Sequence, residues 1–251
     1  NDSPFLIVSE DDIYNTFKNV CNYSVYSYQN QIKNGYVTFK GGHRIGICGS
    51  AVISDGRISN VKNISSLNVR IAREVIGASD KIFKRFCGKM GGILFVGKPS
   101  SGKTTILRDL ARKLSIKSTN GTLKKISIID ERGEIGSVYH GLPQYDVGFC
   151  DILDGYPKGE GILYAVRTLS PDFVICDEIG NGEDVMSILE SVNSGVKFIA
   201  SAHGGSIDEV LRRSQIKLLI SSGVFEHIVL LENDKYPGEI FKIYKVDDLD
   251  V

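Results

Sequence analysis

The chain has 251 residues, 42% of them apolar and 24% charged, an ordinary globular composition with room for one large domain or two modest ones. Thirty basic residues balance thirty acidic ones, which argues against a global field that would draw the chain to nucleic acid or anionic lipid. No apolar run is long enough to span a bilayer and the opening "NDSPFLIVSEDD" is no signal peptide, so any membrane link is expected to run through a partner; the lack of an initiating Met leaves room for an upstream segment.

Residues 1–78 are expected to form a small α+β domain. "SEDDIYNTFKNVC" predicts a helix capped by Ser9 and Asp12, with Ile13, Phe17 and Val20 on one face. "VYSYQNQIKNG" predicts a second helix closed by Gly35. "YVTFKGGHRIGICGSAVI" alternates like two strands about a Gly41–Gly42 turn, and "SSLNVRIAREVIG" leads out of the domain, with Gly77 a candidate hinge. Cys21, Cys48, Cys87, Cys150 and Cys176 are irregularly spaced and several lie in apolar runs, so reduced, buried thiols are expected.

Residues 79–251 alternate between short apolar runs and helical patterns. Strands are predicted at 93–96, 126–130, 173–177, 197–201, 227–231 and 240–244, and this pattern indicates a largely parallel sheet covered on both faces. "TTILRDLARKL" predicts a helix with Ile106, Leu107, Leu110 and Leu114 on its core face, and "EDVMSILESV" another with Val185, Ile188, Leu189 and Val192. "SIDEVLRR" begins with Ser206 and Glu209 in capping-box register.

Between the first predicted strand and its helix, residues 97–104 read Gly97-Lys98-Pro99-Ser100-Ser101-Gly102-Lys103-Thr104, with Thr105 following. Backbone N–H groups of such a loop, at a helix N-terminus, can surround phosphate oxygens. Lys103 supplies a charge to the β- and γ-phosphates of ATP, and the Thr104 hydroxyl completes the shell of a Mg2+ ion. "FVICDE" places Asp177 to hold Mg2+ and Glu178 to orient or deprotonate the attacking water. His203 is expected beside the phosphate loop, on a strand inserted between the first strand and that of Asp177. In "IIDERGEI", Asp130, Glu131, Arg132 and Glu134 are expected at the same sheet edge, with the division of roles among them open. Arg70 and Arg73, near the domain junction, and Arg167, ahead of the Asp177 strand, are candidate cations for the nucleotide, in the same subunit or a neighbouring one.

"RTLSPDFVICDEIGNGEDVMSILESVNSGVKFIASAHGG" resembles the secretion-type ATPases of type II and type IV systems, and "IIDERGEI" is similar to their acidic box. The ordered set "GGHRIGICG", "ISSLNVRIAREVIG", "GKTTILRDLAR", "DERGEI", "PQYDVG", "DILDGYPKGEG", "SPDFVICDEIG" and "SAHG" resembles the stage III sporulation protein AA family of endospore-forming bacteria, over about residues 7–232. That resemblance implies a P-loop NTPase core of the RecA-like, additional-strand class and an ATP-hydrolysing motor of the mother-cell cytoplasm. It also implies assembly into a ring, with a hexamer as the expected size, and action with integral membrane proteins of a channel to the forespore. Relatives carry a basic residue where this chain has Cys150, in a loop that is a residue shorter here, and an N-terminal extension. Two other readings stand beside the motor. One is a nucleic-acid-binding ATPase in which "FKGGHRIG" approaches phosphates, disfavoured by the neutral charge; the other is an assembly module that binds ATP with little turnover.

Overall fold

The computed structural model describes residues 7–86, 88–117, 122–232 and 237–249, so Cys87 and the first six residues of the opening segment lie outside the described residues. Contacts divide the chain into a first unit of residues 1–73 with 137–144 and a second of 74–136 with 145–251. The boundary expected at 78/79 thus differs from the observed division at 73/74, and one later hairpin counts with the first unit. The reason is specific pairing: Ser137 Oγ donates to Gly42 O, Gln144 accepts the Gly41 N–H, and Tyr139 stands edge-on to Phe39.

In the first unit, α1 (Glu10–Val20) has the reciprocal Ser9–Asp12 cap, and it buries Phe17 and Val20. The expected second helix is only one turn, α2 (Gln29–Ile32), preceded by a 3-10 turn at Val25–Tyr28. Left-handed Asn22 and Tyr23 start that segment, and its β-branched and aromatic residues favour helix weakly. Strands β1 (Tyr36–Phe39), β2 (His43–Ser54) and β3 (Arg57–Arg70) form an antiparallel sheet. "SSLNVR", expected to lead out of the domain, is therefore the end of a third strand. Ile45 and Ile47 point into the core, so alternation turns Cys48 outward, and its expected burial does not hold.

The second unit contains α3 (Asp80–Phe86), β4 (Ile93–Gly97), α4 (Lys103–Ile116), β5 (Ile126–Asp130), β6 (Cys150–Asp154) and α5 (Lys158–Thr168). It continues through β7 (Phe173–Cys176), α6 (Gly182–Ser191), β8 (Lys197–His203), α7 (Ile207–Leu211), α8 (Ser214–Ser221), β9 (His227–Leu231) and β10 (Ile240–Lys245). The sheet runs β10-β9-β4-β8-β7-β5-β6, parallel except for β10. β8 lies between β4 and β7, the insertion expected from the sequence. Alternation splits the strands between two cores. Leu94, Val174, Phe198 and Ile228 pack with α5, α6 and α8, whereas Phe95, Ile175, Ile199 and Val229 pack with α3 and α4. Among the described residues no helix is long and apolar enough to cross a membrane.

Candidate functional site

Parallel strands end their chains at one sheet edge, and there the tips of β4, β5, β7 and β8 bring the polar residues of the second unit together. Gly102 caps α4 at φ +90°, a conformation that favours glycine, and a Cβ there would stand 2.7 Å from the Gly238 N. Lys103 is 6% exposed. Its ammonium donates to the carbonyls of Gly97 and Lys98, 2.8 Å each, and lies 3.4 Å from His203 Nδ1. Burial pulls the Lys103 pKa below the usual lysine range, opposed by the charges of Asp177 and Glu178. Ser101 Oγ is buried and makes no hydrogen bond among the described residues.

Asp177, following β7, accepts from the hydroxyls of Thr104 and Ser201. Ser201, on β8, also accepts the Glu178 N–H at 3.0 Å. The Glu178 carboxylate lies between two partners: Arg132 Nη1 donates to Oε2 at 2.5 Å, and His203 Nε2 is 3.0 Å from Oε1. His203 is in register with Gly97, the first residue of the phosphate-loop motif. A cleft of about 390 Å³ is lined by Ser100, Gly102, Lys103, Thr104, Thr105, Arg132, Glu134, Asp177, Glu178 and His203.

The acidic segment after β5 divides its tasks. Asp130 is 2% exposed and accepts the N–H groups of Glu134, Ile135 and Gly136. Burial raises its pKa, against those three donors. It therefore braces the turn. Glu131 stays near the surface, 3.6 Å from the Lys158 ammonium. Buried Arg108, one turn along α4 from Thr104, donates to the carbonyls of Glu134 and Ile135 and stacks 3.6 Å over the Tyr145 ring. Helix α4 thereby holds the acidic turn.

Three candidate cations are not brought to the cleft within the second unit. Arg70 and Arg73 belong to the first unit and are exposed. Arg167 is exposed nine residues along α5 from Lys158, about 13 Å at helical rise, and does not line the cleft. Conversely, Ser201, Lys158 and Arg108 were not singled out from the sequence. Lys158 did carry a signal, since a cation in a helix's first turn opposes the helix dipole.

The donor set fits the expected ligand. The Thr104 hydroxyl and the Asp177 carboxylate sit side by side, and paired hard oxygens at a helix N-terminus suit Mg2+ carried with phosphate. The chain is 38% identical over 239 residues to the stage III sporulation protein AA of Bacillus subtilis strain 168, covering 94% of this chain and 78% of that one. Its fold is similar to that of the ATPase DotB of Legionella pneumophila, at 13% identity and a TM-score of 0.58, over 90% of this chain and 64% of that one. The DotB of Yersinia pseudotuberculosis is similar at 17% identity and a TM-score of 0.57, over 89% and 63%. The chain thus spans a little under two thirds of either DotB. A family model described as "Sporulation stage III, protein AA" matches residues 1–249, and the chain belongs to that family.

Proposed function

We propose that the chain is an ATP-hydrolysing motor of endospore formation, with the cleft at the strand tips as its catalytic site. One observation carries the reading: Lys103, Thr104, Asp177, Glu178 and His203, drawn from three strand ends, line a single cleft beside the acidic turn. The loop N–H groups and the α4 N-terminus bind the phosphates. Lys103, which otherwise donates to Gly97 and Lys98, turns its ammonium to the β- and γ-phosphates. Thr104 and Asp177 hold Mg2+, which when bound neutralises phosphate charge. Glu178 orients the attacking water and takes its proton, and the bonds of Arg132 and His203 to its carboxylate set when it is available. Glu131 supports this edge of the site. Arg70, Arg73 and Arg167 remain candidates for a neighbouring subunit's nucleotide. In this reading the chain self-associates into a ring, with a hexamer the expected size. It works in the mother-cell cytoplasm, held at the forespore-facing membrane by integral membrane partners, and makes no direct contact with nucleic acid.

The test separates binding from chemistry. Lys103→Ala is expected to lose both nucleotide affinity and turnover, and Glu178→Gln to lose turnover alone, by at least a hundredfold. Measured ATP hydrolysis by Glu178→Gln at the wild-type rate would remove the mechanism.

A further inference from the structure

Lys158 is the first residue of α5 and is 8% exposed. A buried cation at that helix position faces the positive end of the dipole, so local stability does not explain it. Its ammonium donates to the Glu178 carbonyl at 2.8 Å, closer than to either carboxylate nearby, Glu131 and Asp184, at 3.6 Å each. Ser201 Oγ takes the Glu178 N–H at 3.0 Å from the other side. Both peptide groups of Glu178 are thus held by side chains, and between them the residue sits at φ +51°, left-handed backbone that is uncommon for a non-glycine residue.

We propose that Lys158 is a positioning residue. It fixes the Glu178 backbone in the left-handed turn that presents the carboxylate to the cleft, and it ties that backbone to Glu131 of the acidic turn. The inference rests on the ATPase reading for its kinetic consequence and not for its structural one. A residue that only balanced Asp184 would place its ammonium nearest that carboxylate, and this one is nearest a carbonyl.

The experiment compares Lys158→Met with Lys158→Arg in the full chain, alongside wild type and Glu178→Gln. Expected is a tenfold or greater fall in kcat for Lys158→Met, with nucleotide Kd within threefold of wild type and substantial recovery in Lys158→Arg. Because Lys158→Met strands a buried Asp184, the double variant Lys158→Met/Asp184→Asn is carried as a folded control and is expected to show the same loss. A readout independent of turnover is the imidazole NMR signal of His203, whose Nε2 lies 3.0 Å from Glu178 Oε1. It is expected to shift in both Met variants and to return towards wild type in Lys158→Arg. Unchanged imidazole signals, or a kcat within threefold of wild type in the double variant, overturn the proposal. If wild type and Glu178→Gln hydrolyse ATP alike while the imidazole signals shift as expected, the ATPase reading fails and the positioning role stands.

Discussion

Glu178 lies at φ +51°, where the Cβ of an L-residue crowds its own carbonyl at a cost of about 1–2 kcal/mol. Its carboxylate is a third exposed, so its pairs with Arg132 and His203 offset at most about 1 kcal/mol. Glu178 is one of nine non-glycine residues at positive φ among those described, and the one whose carboxylate lines the cleft together with Lys103 and His203. Glu178→Gly is therefore expected to melt at or slightly above wild type in a calorimeter while losing all turnover. Destabilisation beyond about 2 kcal/mol would instead make the carboxylate a structural group. The place of Glu178 at the sheet edge was legible in the sequence because an acidic pair ends an apolar strand. Its backbone state was not, because Ser201 and Lys158, which hold it, stand 23 and 20 residues away and share no periodicity with it.

At the scale of elements, α4 does more than follow the loop of residues 97–102. Its apolar face, Ile106, Leu107, Leu110 and Leu114, was readable from spacing and is buried as expected. The same helix also buries Asp109, which accepts the N–H groups of Gly77 and Ser79, the Ser79 hydroxyl and the Lys113 ammonium. Gly77, the candidate hinge, is consequently pinned to α4, and Glu74 before it accepts the Asp146 N–H at 2.7 Å. Burial alone would push the Asp109 carboxyl up, but those donors prevail and hold it below the usual range. A depressed carboxyl stabilises the fold fully above its unfolded value near pH 4, and the contribution is lost as pH falls through the lower folded value. Asp109→Ala is expected to cost about 1–3 kcal/mol at pH 7, since it leaves two N–H groups without their acceptor while Lys113 keeps Asp80, 2.7 Å away. In urea melts the gap to wild type is expected to narrow below about pH 4; a gap independent of pH would contradict the ionic role. Edge strand β6, by contrast, escaped the sequence reading because "CDILD" is short and acidic at both ends, and α5 because two glycines interrupt its pattern.

At the scale of the molecule, the central sheet was largely legible, since apolar runs between helices leave few arrangements. The division into units was less so. Residues 137–144 are polar and turn-rich, and nothing local tells that Asn22 donates to the Tyr139 hydroxyl at 2.6 Å and lies 3.2 Å from His140 Nε2. A full-length Tyr139→Ala/His140→Ala variant is expected to speed hydrogen exchange around residues 22–28 and Gly41, with β4 and β8 unchanged. Faster exchange in β4 and β8 instead would place the hairpin with the second unit. The excursion of the chain through that hairpin has a mechanical meaning. It departs after Gly136, whose N–H is fastened to Asp130 at 2.8 Å, and returns at Tyr145, whose ring lies under Arg108. Any tug on the loop arrives at the tip of β5 and at the helix behind Thr104. The covalent thread alone can deliver a load to the cleft, as a bell-rope does, whatever surfaces do or do not touch.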